Sequence, residues 1–119
     1  MQWKFTGEKP VYQQIMELLR GAILAGEYGP GSRVEPVREL AMTANVNPNT
    51  MQRALVELER EGILISCGTM GRFVTDDHLI LDAAKKAARL AAARACAQRL
   101  AALGLSLEEA AALLKEETV

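Results

Sequence analysis

The polar segment VNPNTMQR, at the start of an amphipathic helical pattern, brings together side chains that donate and accept hydrogen bonds. It places Asn47, Asn49, Thr50 and Arg53 within seven residues. Arginine can form two hydrogen bonds with guanine, and asparagine can do the same with adenine. The free N–H groups at a helix N-terminus also favour a phosphate. These residue types at this spacing indicate contact with a nucleic acid.

The same segment also has a purely structural interpretation. Asn47 is a strong helix cap and Pro48 suits the first helical position. Asn49 and Thr50 would then only fill the first turn, and Arg53 would pair with Glu57 four residues later. The elements around the segment must decide between the two interpretations.

Hydrophobic periodicity predicts three helices, a hairpin and two further helices. The helices cover residues 10–25, 36–43 and 48–61, and the strands cover residues 63–66 and 72–75. A helix of about 25 residues then runs to residue 103, and a last helix begins at Leu107. Ser106 and Glu109 form a capping box before that last helix.

This order predicts a mainly α protein with a small β-hairpin. Three helices followed by a hairpin are the order of a winged helix-turn-helix, here residues 1–75. Residues 76–119 are predicted to form a C-terminal two-helix dimerisation arm. In the third helix, an apolar stripe faces inward and the opposite face is polar; the stripe consists of Met51, Ala54, Leu55 and Leu58.

In a helix-turn-helix, the second helix of the pair enters the major groove. We therefore favour the functional interpretation, in which the outward face of the third helix contacts DNA. The predicted contacts there are Asn47, Asn49, Thr50, Gln52 and Arg53. Arg38, at the start of the short second helix, is predicted to contact a phosphate. The alternative for Arg38 is a surface ion pair with Glu35 or Glu39, which would contribute little.

The C-terminal region carries an apolar stripe that a monomer would expose to water. We predict that it forms a homodimer, with a two-fold symmetric DNA site to match. Two alternatives stay open: the stripe packs on the winged domain, or the winged domain or the arm binds another protein. The predicted dimer residues are Leu79, Ala83, Leu90, Ala93, Ala97, Leu100, Leu107 and Leu114.

Charge and cysteine usage exclude several other classes of protein. The net charge is −1, and residues 1–74 hold eight basic and eight acidic side chains, so any nucleic-acid binding depends on where the cations lie. Cys67, Cys96 and the single histidine, His78, match neither a zinc site nor a redox pair. We predict no catalytic site, metal, cofactor or membrane span, and a cytoplasmic location without a secretory signal.

Several sequence blocks together resemble the GntR family of bacterial transcription regulators, and within it the YtrA type. The blocks are KPVYQQI, GEYGPGSR, VREL, NPNT and LEREGIL, and the resemblance covers residues 9–74. It implies a winged helix-turn-helix that binds double-stranded operator DNA through Arg38 and residues 47–50. It also implies dimerisation through the C-terminal helices, and leaves a small-molecule effector open. In the hairpin, the predicted DNA contacts are Gly68, Thr69 and Arg72.

The chain departs from the family pattern at two places. Where relatives carry a serine that caps the second helix, this chain has Val34, Glu35 and Pro36. The hairpin tip, residues 66–71, lacks the basic residues of relatives and leaves Arg72 as its only cation. We therefore expect the hairpin to contribute little electrostatic affinity. Cys67 at this tip is expected to be an exposed inert thiol, with an oxidation sensor as the alternative.

Overall fold

The computed structural model describes residues 1–117, in which the chain forms five α-helices and one two-stranded hairpin. Two compact units separate after Asp82. The predicted elements are confirmed to within one or two residues at each end. They are α1 (Val11–Leu24), α2 (Val37–Ala44), α3 (Pro48–Arg60), β1 (Leu64–Ser66), β2 (Arg72–Val74), α4 (His78–Ala102) and α5 (Leu107–Glu117), with a 3-10 turn at Gly68–Met70.

Helix α3 lies at the centre of the first unit, because α1, α2 and β1 all pack against it. Its predicted apolar stripe is completely buried, and α1 contributes Ile15 and Leu19 to the same core. Burying a leucine or isoleucine side chain contributes roughly 1.5–3 kcal/mol. The core thus fixes which face of α3 points outward.

The turn between α2 and α3 determines where α3 begins. Asn45 adopts a left-handed conformation (φ 55°) that ends α2, and the Val46 N–H donates to the Ala41 carbonyl at 3.0 Å. Two residues later the Asn47 side chain accepts a hydrogen bond from the Asn49 N–H at 2.8 Å, as a helix cap does. The predicted capping of α3 is confirmed.

The hairpin pairs β1 and β2 in antiparallel register, with Ile65 opposite Phe73. The segment before α2 lies along the other edge of β2, where Arg33 bridges to Phe73. In that contact the Val34 N–H donates to the Arg72 carbonyl at 2.9 Å, and the Val74 N–H donates to the Ser32 carbonyl at 2.8 Å. The sequence did not predict this additional pairing, which ties the hairpin to the start of α2.

Helix α4 begins in the first unit and continues into the second, which starts at Ala83. The Asp77 carboxylate accepts the Leu79 N–H at 2.9 Å at its start. The capping box of α5 is confirmed in both directions, since Glu109 accepts the Ser106 N–H at 3.0 Å and Ser106 accepts the Glu109 N–H at 3.1 Å. Within residues 1–117, no helix combines the length and apolar character needed to cross a membrane.

Candidate nucleic-acid interface

The N-terminal half of α3 presents a polar surface to solvent. Asn47, Asn49, Gln52 and Arg53 are exposed and Thr50 is half-buried, while the opposite side of the helix lies in the core. Since the cap at Asn47 fixes the start of the helix, these side chains occupy its first two turns. The structure thus brings together the five residues that the sequence predicted for this surface.

Arg53 does not pair with Glu57, so the structural alternative proposed for it is wrong. Its guanidinium lies over the ring of Tyr12 on α1, with the Cζ atom 3.7 Å from the ring centroid. Glu57 instead accepts a hydrogen bond from Arg60 at 2.9 Å. Within residues 1–117, the Arg53 guanidinium has no hydrogen bond or ion pair, so its N–H groups are available to an outside acceptor.

Arg38 is also exposed, and the ion pair suggested as its alternative role is not formed in the described part of the chain. Of its two candidate partners, Glu35 accepts a hydrogen bond from the Tyr28 hydroxyl at 2.6 Å. Burial, and then the hydrogen bond to Glu35, raise the pKa of Tyr28, so that the phenol stays protonated and remains a donor. Arg38, the second residue of α2, therefore carries a charge that no ion pair within residues 1–117 offsets.

The start of α2 has no side-chain cap, as the sequence indicated. Pro36 occupies the cap position and no side chain accepts a hydrogen bond from the first turn. Glu35 is exposed beside it. The N-terminal end of α2 therefore combines the cation of Arg38 with the carboxylate of Glu35, which forms no ion pair within residues 1–117.

The hairpin tip is exposed at Gly68 and Thr69, but Arg72 is held by a partner. Its guanidinium forms a partly buried ion pair with Glu59 on α3, in which the two side chains are 19% and 25% exposed. The positive charge of Arg72 is therefore offset within the protein. Cys67 is exposed at the same tip.

Arg33 is a further cation beside the hairpin tip, and it was not predicted from the sequence as a site residue. It is exposed and lies beside the hairpin, where its Nε would be 3.3 Å from a Cβ added to Gly71. A groove between the segment before α2 and the hairpin tip is lined in part by Arg33, Pro36 and Thr69. No ion pair or side-chain hydrogen bond of Arg33 occurs within residues 1–117. The signal was present in the sequence, because Arg33 ends the GEYGPGSR block.

The arm residues predicted for dimerisation are mostly exposed in the single chain. Leu79, which belongs to the first unit, is 81% exposed, and Leu107 in the second unit is 80% exposed. Leu100 and Cys96 are half-buried and line a shallow apolar hollow on α4. The remaining members of the predicted set are all exposed: Ala83, Leu90, Ala93, Ala97 and Leu114.

The described residues contain no group of three or more histidine, cysteine, aspartate or glutamate side chains placed to hold a metal ion.

Comparison with known sequences gives one matching family and a set of curated relatives. The family "Bacterial regulatory proteins, gntR family" matches residues 11–74. The HTH-type transcriptional regulator YhcF of Bacillus subtilis is 33% identical over 89% of this chain and 88% of its own length. The HTH-type transcriptional repressor YtrA of the same organism is 38% identical over 57% of this chain and 52% of its own length.

Comparison with solved structures also finds a member of the GntR family. A GntR family transcriptional regulator from Listeria monocytogenes superposes with a TM-score of 0.87 at 30% identity, over 94% of this chain and 98% of that one. The AraR(DBD) in complex with operator ORX1 superposes with a TM-score of 0.58 at 26% identity, over 63% of this chain and 96% of that one. YhcF, YtrA and the Listeria monocytogenes protein are named as transcription regulators, the class that the sequence predicted for this chain.

Proposed function

The chain belongs to the GntR family of bacterial transcription regulators, and we propose that it acts as a cytoplasmic repressor that binds a palindromic operator as a homodimer. The observation that supports this most strongly is the exposed polar start of α3, in which Arg53 has no acceptor within residues 1–117. An unpaired guanidinium on the outward face of such a helix is suited to a base edge.

Base recognition is assigned to the first two turns of α3. Arg53 would donate to the O6 and N7 atoms of a guanine, and Asn49 or Gln52 would pair with an adenine. Asn47 and Thr50, at the helix N-terminus, would approach a phosphate together with the free backbone N–H groups there.

We expect the affinity for DNA to depend on where a few cationic side chains lie, because the first 74 residues carry no net charge. Arg38 and Arg33 are exposed without ion pairs in the described part of the chain, and both belong to the segment that leads into α2 or to its first turn. We assign them to phosphates on either side of the groove that α3 enters. The hairpin would position Arg33 and add little charge of its own.

The arm is assigned to dimerisation. Leucines on α4 and α5 are exposed in the single chain, and burying them in a second copy would remove apolar surface from water. A two-fold dimer would read two half-sites whose centres lie about 10 bp apart when both copies of α3 face one side of the duplex. Repression is proposed because the relative YtrA is named as a repressor.

The proposed DNA recognition is tested by selecting bound duplexes from a randomised pool. We expect the parent protein to enrich an inverted repeat, and Arg53→Ala to lose preference at one base pair in each half-site, at a cost of roughly 1–3 kcal/mol. Arg60→Ala is the matched control, because Arg60 lies at the other end of the same helix and pairs with Glu57. A parent that enriches no sequence would contradict the proposal and favour a protein-binding module.

Dimerisation is tested separately by sedimentation equilibrium. We expect two chains for the parent and one for Ala97→Glu, which places a charge on the predicted stripe. Gln98→Glu is the control, since the neighbouring residue is exposed and lies outside the predicted set. A parent that sediments as a monomer at micromolar concentration, with or without operator, would remove the dimer from the proposal.

A further inference from the structure

We propose that Tyr12 is a positioning residue for base recognition, because it holds the Arg53 guanidinium in place before DNA binds. This inference rests on the proposed function and adds to it a residue on α1, outside the helix-turn-helix pair. The observation is the stacked contact between the two side chains, in which the Arg53 Cζ lies 3.7 Å from the centroid of the Tyr12 ring.

A Cζ–centroid distance of 3.7 Å fits a guanidinium that lies face-on over the ring, a contact that occupies one face and leaves the edge open. Recognition of guanine uses the edge, because the two donated N–H groups lie in the guanidinium plane. No side chain or carbonyl within residues 1–117 accepts a hydrogen bond from the Arg53 guanidinium. Tyr12 therefore restricts the orientation of Arg53 without using the donors that read the base.

The acidic side chains nearby do not compete for Arg53. Glu57, one turn further along α3, is paired with Arg60, and Glu61 forms a two-point contact with Arg20 at 3.0 and 2.6 Å. Since these acids are already engaged, the aromatic ring is the contact that determines where the guanidinium lies. Tyr12 itself is half-buried on α1, which packs against α3, so the ring has a fixed place.

A held arginine loses less side-chain freedom when it binds a base than a mobile one does. Cation–π contacts at exposed sites are weak but measurable, and their removal corresponds to roughly a two- to fivefold change in an equilibrium constant. We therefore expect Tyr12→Leu to reduce discrimination at the base pair read by Arg53 by about two- to fivefold in each half-site. Discrimination at the other operator positions should stay as in the parent.

The experiment measures binding to the duplex selected by the parent and to duplexes changed at each single position. Tyr12→Phe is the control, because phenylalanine keeps the aromatic face and loses only a hydroxyl that accepts from Gln13. It should discriminate like the parent. In an Arg53→Ala background, Tyr12→Leu should change nothing further at that base pair, because the effect passes through the arginine.

A purely structural role for Tyr12 would weaken binding equally at all operator positions and would survive in the Arg53→Ala background. Either result would overturn the inference, as would tighter discrimination by Tyr12→Leu, which would mean that the ring withholds the arginine from DNA. A selective parent combined with an unchanged Tyr12→Leu refutes the positioning role alone. A parent that selects no duplex refutes the proposed function and this inference with it.

Discussion

Two arginines, Arg33 in the segment before α2 and Arg72 at the start of β2, are predicted to contribute very differently to DNA binding. Arg33 is exposed and forms no ion pair among the described residues, whereas Arg72 is paired with Glu59 and is 19% exposed. A cation already neutralised by a carboxylate releases few counterions when a phosphate approaches. Arg33→Ala should therefore weaken the salt dependence of binding, and Arg72→Ala should affect it much less.

The size of the effect follows from counterion release. Each phosphate contact changes the slope of log affinity against log salt by about 0.9, so that losing Arg33 from both half-sites of a dimer removes about 1.8, or roughly twelvefold over a fourfold range of salt. Arg72→Ala should instead lower the free energy of unfolding. It leaves the Glu59 carboxylate partly buried without its partner, at a cost of about 1 kcal/mol.

The assay is fluorescence anisotropy of the selected operator at four or more salt concentrations, with urea unfolding of each variant beside it. Glu59→Gln should change the salt slope in the opposite direction to Arg33→Ala, because it removes the carboxylate that neutralises Arg72. We expect Glu59→Gln to steepen the salt slope. The reasoning is refuted if Arg72→Ala and Arg33→Ala flatten the slope equally, or if Glu59→Gln leaves it unchanged.

Three stability predictions follow from the packing and the caps, each measured by urea unfolding. Leu58→Ala should lose about 2–5 kcal/mol, because Leu58 is completely buried in the core, and a loss below 1 kcal/mol would contradict that packing. Asn47→Ala should lose about 1 kcal/mol with the cap of α3; an unchanged free energy of unfolding would show that the cap contributes nothing. Gly71→Ala should lose about 1–3 kcal/mol, because Gly71 has φ 98° and a Cβ would crowd Arg33. Gly7→Ala, with open space around it, is its control and should be neutral.

The elements of the fold could be predicted from the sequence because local signals mark each boundary. Asn47 and Pro48 mark the start of α3, Gly62 marks its end, and Ser106 with Glu109 marks the start of α5. The apolar stripe of α3 was equally clear, because four residues at helical spacing have no polar interruption. These signals need no information about distant parts of the chain.

The contacts that define the electrostatics of the surface could not be predicted in this way. Arg53 was expected to have Glu57 as its local alternative, but its contact is Tyr12, forty-one residues earlier in the chain. Arg72 finds Glu59 on α3, and Arg33 reaches the hairpin through backbone pairing with Phe73. Each contact depends on how the helices and hairpin pack, which hydrophobic periodicity does not encode.

The central claim, sequence-specific binding of operator DNA by two copies of this chain, is tested most directly by one titration. Labelled duplex from upstream of the chain's own gene is titrated with the 119-residue chain in an excess of random duplex, and the anisotropy is followed to saturation. We expect saturation at two chains per duplex, resistance to the competitor, and weaker binding as salt rises. Displacement by random duplex at the same concentration as by unlabelled operator would contradict it.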